Sequence, residues 1–199
     1  MPSSAERLFR AARRLHRRSG AGLELPPLLF FTDPLRTPDP VAIARRLPRG
    51  AGVVYRSFGA SDRNRMARAL QRVCRLRGLK LLIGADAVLA RRIGADGVHL
   101  PERLLRPGKA PPTTHLLTAA AHSARALRRA ALCKAQAAVL SPVFASASPS
   151  AGTPLGPRRA RALVAGIRPL PVYALGGIKA RHAPIGCFCG LAAIGALRT

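Results

Sequence analysis

Three stretches of this 199-residue chain hold residue types suited to chemistry at a suitable spacing. The first is Leu175–Lys179, LGGIK, which follows an apolar run. Two adjacent glycines let backbone N–H groups approach an anion, and the N-terminus of a following helix adds a favourable dipole. The plain alternative is a tight turn. The second is SPVFASASPSAGTPLG at 141–156, an uncharged loop in a strongly basic chain. Loops of this length inside a compact domain are usually functional or disordered, and Ser146 and Ser148 are candidate donors to the same anion; a plain linker is the other reading. The third is His122, in AAAHS, at the end of an apolar segment and directly before a helix that Ser123 would cap. At the mouth of an anion site it is a candidate general acid/base, because an imidazole titrates near neutrality; elsewhere it would be a structural strand-end residue. His99 lies inside the apolar GADGVHL and reads as a packed residue, while His115 and His182 fall in loops without partners. Asp96 in the same stretch reads as shaping the turn into its strand. The chain has only eight acids, and no two stand at an evident ligand spacing, so a strong Mg2+ site is hard to draw.

The elements that must carry these residues alternate. Apolar, β-prone segments occur at 28–31, 52–57, 79–84, 97–100, 115–120, 137–144, 171–175 and 190–195. Helical patterns lie between most of them. The clearest is 63–77, with Met66, Leu70, Val73 and Cys74 on one stripe and Asp62 as N-cap. Others run over 123–134 and 156–167. Strands apolar throughout, alternating with helices, imply a parallel sheet covered on its outer side. Eight of them favour an α/β fold of one closed (β/α)8 barrel, with the last helix short or missing, and no GxGxxG follows the first strand to argue for a dinucleotide fold. Barrel chemistry collects where strands run into the next element, and phosphate sites often form after strands seven and eight. That places Gly176, Gly177 and Gly195 together with Ser146 and Ser148 as phosphate-binding candidates. It also sets Asp33, Arg56 and His122 at the same end of the barrel.

Composition bounds the rest. Residues 1–27 read as a basic amphipathic helix and lead-in, with Leu8, Phe9, Ala12 and Leu15 on one side; residues 28–199 read as the barrel. No run reaches the roughly 18 apolar residues of a membrane helix, and the N-terminus lacks the apolar core of a secretory signal. Cys74, Cys133, Cys187 and Cys189 form no CxxC, and Cys187 and Cys189 read as one face of a strand. Buried free thiols in a reducing cytoplasm are the expectation. The net charge is +26, and of 34 basic residues only Lys80, Lys109, Lys134 and Lys179 are lysine. The arginines fall in pairs on the solvent sides of successive helices rather than on one element, with few aromatics between them. A solvated basic surface is the simpler reading; steering of anionic small molecules and contact with RNA also fit. A barrel with an incomplete outer ring exposes apolar surface, so a homodimer is a further expectation.

Together these residues resemble the thiamin phosphate synthase and TenI (thiazole tautomerase) family. GADGVHL at 94–100, SPVFASASPSAGTPLG at 141–156 and PVYALGGI at 171–178 are similar to three of its signature stretches, in the same order on the same strands. FFTDP at 30–34 and AHS at 121–123 add weaker matches. The resemblance implies a TIM barrel that binds a thiazole phosphate, with the neutral loop as a flap over the substrate. A synthase joins that ligand to hydroxymethylpyrimidine diphosphate and needs Mg2+ on two aspartates, with Gln, Arg and Lys around the leaving diphosphate. A tautomerase isomerises a thiazole phosphate without a metal. Against the family pattern, Arg56 is kept, while Val54 and Phe58 stand at the Gln and Lys positions. Gly84 and Ala85 replace Asn-Asp, Leu104 stands near the second metal aspartate, and Pro149 aligns with the flap lysine. Asp86 and Glu102 are the nearby substitute ligands. The diphosphate half of the site therefore reads as eroded, with His122 and Arg56 as the catalytic candidates. A non-catalytic relative that holds a phosphorylated ligand, and a basic-surface RNA-binding protein, are the alternatives.

Overall fold

The computed structural model describes residues 3–57, 59–108, 116–146, 152–180 and 186–195. Helix α1 (Ser4–Ser19) leads in, and eight strands follow: β1 (Leu28–Phe31), β2 (Gly52–Tyr55), β3 (Lys80–Gly84), β4 (Gly97–Leu100), β5 (Leu116–Ala121), β6 (Ala137–Leu140), β7 (Val172–Ala174) and β8 (Gly190–Ala193). They close into one barrel in chain order, every neighbour parallel, with β1 paired to β8 through Leu29 and Ala192. The crossovers carry α2 (Pro40–Arg46), α3 (Arg63–Arg77), α4 (Ala87–Ile93), α5 (Ala124–Leu132) and α6 (Gly156–Ala165). Between β4 and β5 the described residues hold only a 3-10 turn, Glu102–Leu104.

The uninterrupted apolar runs have a simple cause: each strand is buried on both faces. Leu28, Phe30, Val53, Leu81, Ile83 and Val98 point outward into the layer shared with the helices. Leu29, Phe31, Val54, Leu82, Val139 and Tyr173 point inward and fill the barrel. Tyr173 is fully buried, and its hydroxyl donates to Pro26 O at 2.6 Å. Gly190 makes room for that ring, since a Cβ there would sit 2.7 Å from Tyr173 Cε1.

Helix α1 is part of this packing. Ser3 and Glu6 form a reciprocal capping box at its start, and Gly20 ends it in the left-handed region. Its stripe Leu8, Phe9, Ala12 and Leu15 is buried in the outer core, and the helix lies against β8 and β1. Each fully buried leucine of that stripe contributes about 1.5–3 kcal/mol. His16 Nδ1 donates to Cys189 O at 3.0 Å and ties the last turn of α1 to the entry of β8. Among the described residues no helix is long and apolar enough to cross a membrane.

Several local expectations need correction. The sixth strand ends at Leu140, because Pro142 follows and supplies no amide to continue the ladder. Asp62 occupies the N-cap of α3 but makes no cap hydrogen bond; Arg65 takes its carboxylate at 3.1 Å instead. Cys187 and Cys189 precede β8 rather than lying in it. All four thiols are free, with Cys187 half-buried and the others buried. His115, His182, Phe58, Ser148 and Pro149 lie outside the described residues.

Candidate functional site

At the C-terminal end of the strands lies a cavity of about 540 Å3, lined by the exits of β6, β7 and β8 and by Arg36, Arg56 and His122. Of the sequence candidates, it brings together Gly176, Gly177, Gly195, Ser146, Arg56 and His122. Ser148 lies outside the described residues. Asp86 and Glu102 are not among the lining residues.

The glycine turn is shaped by close approach. Gly176 has φ 95° and Gly177 φ 61°, both in the left-handed region that favours glycine. A Cβ at Gly176 would stand 2.7 Å from Pro142 Cα, and one at Gly177 would stand 2.2 Å from Ala145 O. The start of the β6 loop is laced to this turn: Val143 N donates to Leu175 O at 2.9 Å and Phe144 N to Gly176 O at 3.1 Å. The turn carbonyls thus point to the β6 loop. Among the described residues the Gly176 and Gly177 amides have no backbone acceptor. Lys179, four residues after Leu175, adds a cation to the same wall.

Another part of the lining is built on β1 and β2. Thr32 is buried; its hydroxyl accepts from Arg56 N and its carbonyl from Arg56 Nε, each at 2.9 Å. The Arg56 guanidinium lies 5.5 Å over the Phe31 ring and 3.6 Å from Asp33 Oδ2. Burial lowers its pKa to about 10, against the opposing pull of Asp33, so it remains a cation at neutral pH. Asp33 also takes the Arg36 side chain at 3.0 Å and the Leu35 and Arg36 amides. Burial would raise its pKa, but the hydrogen bonds from Arg36 and the charges of Arg36 and Arg56 hold the carboxyl below its ordinary range. One carboxylate therefore organises two arginines at the cavity edge.

His122 stands at the exit of β5, next to Ser123, whose hydroxyl caps α5 by accepting from Ala126 N. Its Nδ1 donates to Glu102 Oε2 at 2.8 Å, and its backbone N–H reaches the same oxygen at 3.2 Å. Glu102 Oε1 receives Arg129 from α5 at 2.8 Å. Both oxygens of Glu102 are thus engaged. Asp86 is engaged as well: it caps α4 by accepting from Leu89 N and lies 3.5 Å from Arg63. Among the described residues no three His, Cys, Asp or Glu gather into a set that could hold a metal ion. Among the described residues, Asp86 and Glu102 are thus already occupied by other partners and offer no ready pair of Mg2+ ligands.

His99 sits as a packed residue below the cavity, fully inside the barrel, with its ring edge-on to Phe31 at 5.0 Å. Asp96 stands at the far end of β4, taking Leu81 N at 2.9 Å and Lys80 Nζ at 2.8 Å. Arg36 and Lys179 were not singled out from the sequence, nor was the pairing of Glu102 with His122. The Asp33-x-x-Arg36 spacing and the lysine within LGGIK were the available signals.

A closed parallel barrel with a glycine turn after its seventh strand, and with arginines, a lysine and a histidine around one cavity, defines a (β/α)8 protein with a basic cavity at the C-terminal end of its strands. The comparisons narrow this. A family model described as thiamine monophosphate synthase matches residues 34–198, and the chain belongs to that family. It is 38% identical over 80 residues to the thiamine-phosphate synthase of Xylella fastidiosa (strain 9a5c), a match covering 38% of this chain and 34% of that protein. It is 32% identical over 127 residues to the thiamine-phosphate synthase of Geobacillus kaustophilus (strain HTA426), covering 62% of this chain and 57% of that one. The chain thus spans about a third to somewhat over half of the length of these two relatives. Among solved structures, the thiamine phosphate pyrophosphorylase from Pyrococcus furiosus is similar in fold, with a TM-score of 0.68 at 21% identity and 84% of each chain covered.

Proposed function

We propose that this chain binds a thiazole phosphate against the Gly176-Gly177 turn and isomerises it, with His122 moving the proton. The observation that supports this reading is the sharing of one cavity by the glycine turn and His122. The turn, Ser146, Gly195 and Lys179 hold the phosphate; the reacting ring then lies between that wall and His122. With Nδ1 engaged by Glu102, Nε2 is the ring nitrogen that takes a proton from one carbon of the thiazole and returns it to another. Atoms and charge balance without a co-reactant. The test follows conversion of a thiazole carboxylate phosphate to its isomer by NMR, without added metal. Turnover by the wild type, lost in His122→Ala with ligand binding kept, supports the reading; ligand held unchanged by the wild type overturns it in favour of a binding role.

A second reading has its own support. The matched relatives carry the name thiamine-phosphate synthase, and Arg36 and Arg56 supply cations in the lining of the same cavity. Joining the thiazole phosphate to hydroxymethylpyrimidine diphosphate would use those cations on the leaving diphosphate, where such charges supply a large part of catalysis. Thiamin phosphate formation that depends on added Mg2+ identifies this activity, and its absence at millimolar Mg2+ leaves the isomerase.

A further inference from the structure

We infer that Glu102 is the positioning residue of this site, holding the Nδ1–H of His122 so that the neutral ring carries its lone pair on Nε2. The inference rests on the isomerase reading for its catalytic consequence, but not for the tautomer itself.

Three contacts carry it. Glu102 Oε2 takes the Nδ1 proton of His122 at 2.8 Å and the His122 backbone N–H at 3.2 Å. Arg129 holds the other carboxylate oxygen at 2.8 Å. A carboxylate can only accept, so its partner nitrogen must be the protonated one. The double grip on ring and backbone sets the position of the imidazole as well as its tautomer. The free side chain favours the proton on Nε2, so this arrangement reverses the intrinsic preference. In the neutral ring it leaves on Nε2 a lone pair that can act as base, which is what an orienting carboxylate does for a catalytic histidine. Arg129 contributes from the second turn of α5, the helix that begins one residue after Ser123. It stops the carboxylate rotating away from the ring.

The fold explains why these groups meet. Glu102 follows β4 and His122 ends β5, and the two strands are paired from Gly97↔Leu116 to Leu100↔Ala119. Glu102 lies two residues beyond Leu100 and His122 three beyond Ala119, and the 3-10 turn brings Glu102 beside the exit of β5. The same engagement explains why Glu102 is a poor metal ligand here: its lone pairs already face a guanidinium, an imidazole N–H and an amide.

The experiment reads the tautomer directly, with long-range 1H–15N correlation spectra of the 15N-labelled protein. The His122 resonances are assigned by their loss in His122→Ala. Wild type should show Nδ1 protonated and Nε2 bare; Glu102→Ala should show the free-imidazole preference, with an unchanged fold by circular dichroism. Glu102→Gln, which keeps an acceptor, should retain most of the Nδ1–H form. Isomerisation should fall about tenfold or more in kcat for Glu102→Ala with KM moving less than twofold, and Glu102→Gln should recover part of it. Nε2–H in the wild type, or identical His122 spectra in Glu102→Ala, overturns the inference. No isomerisation by the wild type, with the tautomer as expected, overturns the isomerase reading and leaves the assignment of Glu102 standing.

Discussion

His99 Nδ1 lies 2.9 Å from Thr118 Oγ1, across the registered pair that joins β4 to β5 in the barrel interior. The imidazole is fully enclosed, and burial, helped by the charge of Arg56, lowers its pKa to about 3. It is therefore neutral in the folded protein. As pH falls below about 6.5 the unfolded chain takes up a proton that the folded chain refuses, so stability is lost between there and about pH 3. One such group contributes a slope of about 1.4 kcal/mol per pH unit. Urea midpoints measured from pH 7 to pH 4.5 should fall more steeply for wild type than for His99→Gln; parallel curves would show that the group is solvated or protonated in the fold.

Asp33 acts in a lower window. Its folded pKa lies below the ordinary carboxylate value because the arginine interactions outweigh burial. The stability it contributes is fully present above about pH 3.9 and is lost as pH falls through the folded value. Asp33→Asn should cost about 1–3 kcal/mol at pH 7 through weakened charged hydrogen bonds. The gap to wild type should close below pH 4. A gap that persists at pH 3 would assign the effect to loop packing around Thr37, which also bonds Asp33.

Much of the barrel was legible because burial on both faces leaves an unmistakable mark: LLFF, GVVY and AAVL have no polar side to hide. The turn at Gly176 and Gly177 was legible because adjacent glycines after an apolar run mark a change of backbone direction. What escaped the sequence was set by pairing across strands. Glu102 and His122 are 20 residues apart and meet only because β4 and β5 are neighbours. Asp86 and Glu102 looked like available carboxylates because nothing local reveals that Leu89 N, Arg63, His122 and Arg129 already occupy them. Asp62 failed as a cap through competition with Arg65, a choice between two local hydrogen bonds that spacing alone leaves open.

Ala85 carries backbone strain. It has φ 61° in the bend after β3, and its N–H donates to His99 O at 2.9 Å. A Cβ in the left-handed region costs about 1–2 kcal/mol, and the exposed methyl contributes no packing in return. Ala85→Gly should therefore raise stability by about 0.5–1 kcal/mol, after the entropy that glycine adds to the unfolded chain. Ala85→Val should lower it. Chemical denaturation reads both, and a loss with glycine would show that this backbone relaxes in solution.

The phosphate assignment can be separated from the integrity of the loop by comparing two glycines. Gly177→Ala adds a Cβ in the left-handed region and drives it against Ala145 O at 2.2 Å, next to Ser146. That change must move the β6 loop, so thermal stability and phosphate affinity should fall together. Gly195 is different: a Cβ there has no atom within 4 Å, and its φ lies outside the left-handed region. Gly195→Ala should leave stability within about 0.5 kcal/mol of wild type. Yet Gly195 lines the cavity beside the glycine turn. A methyl there occupies space that a bound phosphate needs, so thiazole phosphate should bind about tenfold more weakly, or about 1.4 kcal/mol. Isothermal calorimetry on both variants, with thermal midpoints measured in parallel, separates the two effects. Wild-type affinity in Gly195→Ala would move the phosphate away from β8. Wild-type affinity in Gly177→Ala, with the expected loss of stability, would remove the glycine turn from the phosphate site altogether.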